Sequence, residues 1–212
     1  MWKVTASKEL FAKIKTQESF WSLVALARVI NSFRFVHTAY EAHQGGDSPA
    51  SQRCRLNSFF FNCGILAEAI LLVQGLHKHL KDVPEFQRLA EVVKGKEVKA
   101  LLGDNVAALR NKLVFHFDLA EIGSHLASMS FENSTFATGL GDTRREEYYV
   151  LADLCALTAF SRNLSDDKMK YLIGLTADIS GKFIDAAEEL IMTQLRNSGW
   201  KIEVNSENSE TG

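Results

Sequence analysis

The sequence predicts an all-α protein: an up-and-down helical bundle with one small irregular or β-hairpin insertion near residues 128–147. Two observations carry this. Apolar residues recur at spacings of three and four through most of the chain, as one face of a helix requires. The 212 residues also hold only two prolines, Pro49 and Pro84, each where that periodicity breaks, so little interrupts long helices. A hydrophobic content of 46% supports one sizeable core, and we read residues 1–203 as a single helical domain with 204–212 as a disordered tail.

The first long helix is predicted over residues 17–43, where Leu26, Val29, Phe33, Val36 and Tyr40 form one apolar stripe. Arg34, His37 and Glu41 share another side and read as a buried polar stripe. GGDSP then stops the helix, with Asp47 or Ser48 available to cap the next one. That second helix, residues 50–80, is apolar around most of its circumference between Phe59 and Leu76, which suggests a central position. Its one acid there, Glu68, has Gly64, Ile65, Leu71 and Leu72 as helical neighbours, and a carboxylate on such a face must find a partner. Asn62, Glu68 and Gln74 within this run favour a core helix over a membrane span.

A short helix follows over 84–93, and a fourth begins near Lys96 and runs to Phe117, with Leu102, Val106, Leu109 and Leu113 as its stripe. Periodicity disappears from 128 to 147, in SMSFENSTFATGLGDTRREE, where Arg144 and Arg145 read as exposed. Helical spacing returns over 148–162 and 166–197, the latter with Ile179, Phe183, Ala187, Leu190 and Ile191 on one side.

Composition narrows the setting more than the chemistry. The three cysteines, Cys54, Cys63 and Cys155, form no CxxC pair, and their odd number argues against a disulfide framework. With no signal-like N-terminus, a cytoplasmic location is expected. Net charge is only −2, but residues 1–117 carry 16 Lys and Arg against 10 Asp and Glu, and residues 118–212 carry 8 against 16. A basic first half can offer a surface to a phosphate backbone.

Most familiar sites are excluded. The chain lacks a GxxxxGK[ST] loop, and GLGDTR lacks the final glycine of a dinucleotide fingerprint. HExxH, ExxH and GxSxG are all missing, and His77 and His79 read as a solvated helix end. No cofactor and no metal is called for. What survives is RNKLVFH, Arg110 to His116.

At about 100° per residue, His116 sits at the edge of its helix's apolar stripe, and Arg110 flanks the other edge, about 120° away. Phe115 points away from the stripe, which suggests a second packing surface. One helix cannot easily bring the arginine and histidine to one phosphate. Two copies across a two-fold axis can.

RNKLVFH resembles the Arg-(four to six residues)-His motif of HEPN domains, in which the arginine is often followed by Asn or His, as Arg110 is by Asn111. The layout is similar too: two long early helices, an acid (Glu68) midway along the second, and the motif late in a further helix. The resemblance covers residues 17–117. It implies a metal-independent endoribonuclease, commonly of toxin or phage-defence type, whose composite active site forms in a homodimer, with RNA as substrate and an antitoxin or regulatory protein as a further partner. His116 would move protons at the RNA 2′-hydroxyl or leaving oxygen, Arg110 would hold the phosphate, Asn111 would orient the histidine, and Glu68 would support the site. The same residues admit another reading, in which Arg110 pairs with Glu68 and His116 ends a helix, leaving a non-catalytic module that binds a nucleotide, an RNA or a protein.

Overall fold

A computed structural model describes residues 2–101, 138–139, 147–148 and 165–204. Among them are strand β1 (Trp2–Thr5), helices α1 (Lys8–Ile14), α2 (Glu18–Ala42), α3 (Pro49–Leu80), α4 (Pro84–Lys94) and α5 (Lys96–Leu101), short strands β2 (Thr138–Gly139) and β3 (Glu147–Tyr148), helix α6 (Asp166–Asn197) and strand β4 (Lys201–Val204). The described part of the chain is mostly helical, as expected. The part of the predicted 148–162 helix beyond Tyr148, and the part of the fourth helix beyond Leu101, lie outside the described residues.

Helix starts follow from side-chain caps. Ser48 rather than Asp47 caps α3, its hydroxyl accepting from Ser51 N–H at 3.2 Å, and Pro49 takes the first turn, where its missing N–H costs nothing. Ser7 and Ser165 cap α1 and α6 in the same way. The loop between α2 and α3 is held by Arg55, whose guanidinium donates to the carbonyls of His43 and Gly46. Those two acceptors fold the hairpin back on itself. Cys54 Sγ, one turn into α3, approaches Ala39 O at 3.6 Å and continues the contact.

The core is one cluster in which α2, α3, α4 and α6 each bury a stripe. Leu26, Phe33 and Val36 of the predicted α2 stripe are buried, with Val29 and Tyr40 half-buried, and Ile179, Phe183, Ala187 and Leu190 line the buried side of α6. Phe33 and Phe183 meet edge to face at 5.6 Å between centroids. Helix α3 is long and apolar enough to cross a membrane by length and composition, yet 61% of its most apolar window is buried within the bundle. That burial fits a core helix. It is not apolar-packed all round, however: Phe61 and Leu71 are 47% and 49% exposed.

Two small sheets accompany the helices. Thr138 pairs with Tyr148 and Gly139 with Glu147, antiparallel, across the segment read as irregular or hairpin, and Tyr148, predicted to open a helix, belongs to this strand instead. The second sheet departs from the all-helical expectation: β1 pairs antiparallel with β4, Lys3 opposite Glu203 and Val4 opposite Ile202, so that the chain entering the bundle is tied to the chain leaving it. Val204, placed in the tail by composition, belongs to this ladder opposite Trp2.

The turn from α6 into β4 depends on one glycine. Gly199 has φ +86°, Trp200 N–H donates to Leu195 O at 3.0 Å, and Gly199 N–H donates to Arg196 O at 3.1 Å. This pair of bonds is a Schellman motif, which needs a left-handed residue at that position. It also delivers Trp200 onto Phe20, ring centroids 5.9 Å apart. Gly199→Ala places a Cβ in the left-handed region and is expected to lower stability by about 1–2 kcal/mol, read as a lower urea midpoint with an unchanged slope.

Candidate functional site

Arg110, Asn111, Phe115 and His116, with Arg144 and Arg145, lie outside the described residues. Of the residues singled out for the ribonuclease site, Glu68 is described. It lies on the exposed side of α3, not within the core. Ile65 and Leu72 beside it are half-buried, and Phe61 and Leu71 are exposed, so the carboxylate stands in an apolar surface. His77 and His79 are exposed at the end of α3, as predicted, with His79 Nε2 3.5 Å from the Glu18 carboxylate.

The stripe Arg34, His37, Glu41 is not buried as a unit. Arg34 reaches out to Glu188 of α6 at 2.7 Å with its side chain 53% exposed, and Glu41 is exposed. An arginine and a glutamate at the edge of the α2–α6 contact keep most of their hydration, whereas full burial would cost several kcal/mol per ion. His37 is half-buried and turns inward.

What His37 meets is a polar cluster that its sequence context concealed. Its Nε2 lies 2.9 Å from Ser180 Oγ, and Asn62 of α3 donates its Nδ2–H to the same oxygen at 3.3 Å. The Ser180 hydroxyl donates to Ala177 O at 3.0 Å. A hydroxyl has one proton and two lone pairs, so with its proton on Ala177 it accepts from both neighbours. His37 therefore carries its proton on Nε2 and leaves Nδ1 as an acceptor. In this arrangement the Ser180 proton points to a carbonyl instead of the imidazole, the reverse of what general-base activation of a serine needs.

Beside this cluster, α2, α3 and α6 form a half-open cavity of about 420 Å³. Val36, Phe59, Ile173 and Ala177 give it apolar walls, and His37, Tyr40, Glu41 and Gln44 from the α2 side with Ser58 and Asn62 of α3 its polar ones. Gly174 and Gly181 line it from α6, and a Cβ built at either meets nothing within 4 Å. Space is left where α6 omits side chains.

One further group can be set aside. Cys63 is buried against Thr176, its Sγ 4.0 Å from Thr176 Oγ1, and burial pushes the thiol up to about 12. It stays protonated and takes no part in nucleophilic chemistry at neutral pH.

Compared with family models, with curated proteins and with solved structures, the chain matches none.

Sequence reasoning names His37 but misses Ser180 and the partnership with Asn62. The signal is present as polar residues at core positions: Asn62 inside FFFNCG, and Thr176 and Ser180 one turn apart on the buried side of α6.

Removing the shared acceptor strands two donors. Ser180→Ala is expected to destabilise the fold by about 1–3 kcal/mol in chemical denaturation, more than the loss of one oxygen from a solvated site. Burial holds the His37 imidazole below its ordinary range, with the Glu41 carboxylate opposing the shift. As pH falls through the ordinary histidine value near 6.5, the unfolded chain takes up the proton before the folded one does. Stability is then lost between that pH and the lower folded value, and is constant with respect to this group on either side. His37→Gln should flatten that part of the stability curve when both proteins are unfolded in urea across pH 5 to 8.

Proposed function

We propose that this chain is a metal-independent endoribonuclease of HEPN type, acting as a homodimer in the cytoplasm. One observation carries the reading: the sequence RNKLVFH follows a long helical hairpin whose second helix holds a lone acid, Glu68, midway along its length. The helices found for residues 18–101 support the layout that the motif requires.

In this reading His116 exchanges a proton with the RNA 2′-hydroxyl or the leaving oxygen, since an imidazole titrates near neutrality. Arg110 holds the phosphate with its planar donors and offsets charge that grows in the transition state. Asn111 orients the histidine of its own or the partner chain. Because Arg110 and His116 diverge by about 120° on one helix, a second copy completes the grip. Glu68, on an exposed face with Phe61 and Leu71, is then a supporting group beside the dimer contact, where that apolar surface is covered. A toxin or phage-defence role, and an antitoxin or regulatory protein to restrain it, are part of the same proposal.

The apolar surface around Glu68 equally favours a second reading: a non-catalytic module that binds a nucleotide, an RNA or a protein. Cleavage separates the two. In EDTA, the purified chain should cut single-stranded RNA, and His116→Ala should slow it by about 10²- to 10⁴-fold with the fold intact. Arg110→Ala should fall comparably. If wild type and both variants are equally inert on varied RNA, the ribonuclease reading fails and the module stands.

A further inference from the structure

The cavity between α2, α3 and α6 has a chemical character of its own, independent of Arg110 and His116. Its described lining contains no lysine or arginine. Asn62 is 6% exposed, and its Oδ1 is buried with no hydrogen-bond partner among the described residues, an arrangement that native interiors seldom tolerate. His37, with its proton on Nε2, presents a lone pair at Nδ1. Glu41, on the cavity wall, makes no ion pair with any described residue.

Those three groups accept, while Tyr40, Gln44 and Ser58 on the same lining can also donate. The Glu41 carboxylate is the one formal charge on the described lining and disfavours an anion, while a neutral hydrocarbon would leave the buried Asn62 amide oxygen unsatisfied. The remaining walls are apolar, and the space is held open by two glycines on α6, each of which weakens the helix relative to alanine although alanine would fit without a clash. A volume of about 420 Å³ lies within the range of small-molecule sites.

We propose that this cavity is a binding site for a small organic amine, its ammonium directed at the Asn62 amide oxygen and the Glu41 carboxylate and its apolar body lying along Phe59 and Ile173. A ligand so placed joins α2, α3 and α6 and stabilises the bundle by mass action.

The test is a titration of the purified full chain with phenethylamine and with n-hexylamine, followed by calorimetry and by the His37 imidazole resonances. At least one of them should bind saturably and shift those resonances, while phenylacetate, a similar body with the opposite charge, binds at least about tenfold more weakly. Gly181→Leu, which fills the cavity from a position with free space, should abolish binding, and Asn62→Leu should weaken it by about tenfold or more. Gly174→Leu gives the same readout should Gly181→Leu fail to fold. Arg110→Ala should bind as wild type does, so that loss of ribonuclease activity and loss of this site are told apart. The proposal is overturned if neither amine saturates, if phenylacetate binds as well, or if the folded cavity-filling variant retains full affinity; the cavity is then filled by water alone.

Discussion

The Ser180 hydroxyl has one proton and two lone pairs, and all three are committed: to Ala177 O within α6, to Asn62 of α3 and to His37 of α2. Three long helices therefore meet at one oxygen. Hydrophobic packing brings α2, α3 and α6 together but is non-directional and tolerates sliding, whereas a buried hydroxyl with fixed donors does not. A rotation of α6 that moved Ser180 off this axis would leave two N–H donors unpaired. The register of the bundle is specified by that penalty more than by the strength of the bonds.

Several features follow from it. With Ser180 fixed toward α2 and α3, Gly181 and Gly174, about 100° and 120° round the helix from it, are turned to the adjoining cavity and leave it unfilled. One turn before Ser180, Thr176 faces the core, donates to Leu172 O and contacts Cys63, so the polar line on α6 continues into the apolar interior without an orphan. The tautomer imposed on His37 leaves its Nδ1 as one acceptor beside the Asn62 amide oxygen and the Glu41 carboxylate. At the far end, Gly199 turns the chain so that β4 pairs with β1 and Trp200 stacks on Phe20.

Much of this architecture is legible in the amino-acid sequence. Pro49 and Pro84 mark helix starts, the three-and-four spacing identifies the buried sides of α2 and α6, and the GGDSP segment separates α2 from α3. The β1–β4 sheet is not, although WKVT and KIEV each alternate apolar and polar residues and place Lys3 opposite Glu203. Four residues with a partner at the other end of the chain carry too little periodicity to be distinguished from a loop. Arg34 and Glu41 depart from the expected buried stripe because a helical wheel shows which residues share a side and not how deeply that side is covered. Glu68, expected among apolar neighbours in the interior, is exposed for the same reason. Asn62 and Ser180 form a pair that sequence reading does not find, because hydrogen bonds between residues so far apart in the chain leave no local pattern. Helical geometry does show what the motif RNKLVFH demands, since the divergence of Arg110 from His116 calls for a second copy.

The assignment of the His37 proton links the helical register to the chemistry of the cavity, and it is directly observable. Long-range ¹H–¹⁵N correlation of the imidazole ring at neutral pH should find His37 uncharged, with the proton on Nε2 and Nδ1 bare. A proton on Nδ1 alone would contradict the account because Ser180 would no longer accept from His37, and a charged ring would contradict it because Nδ1 would no longer be an acceptor.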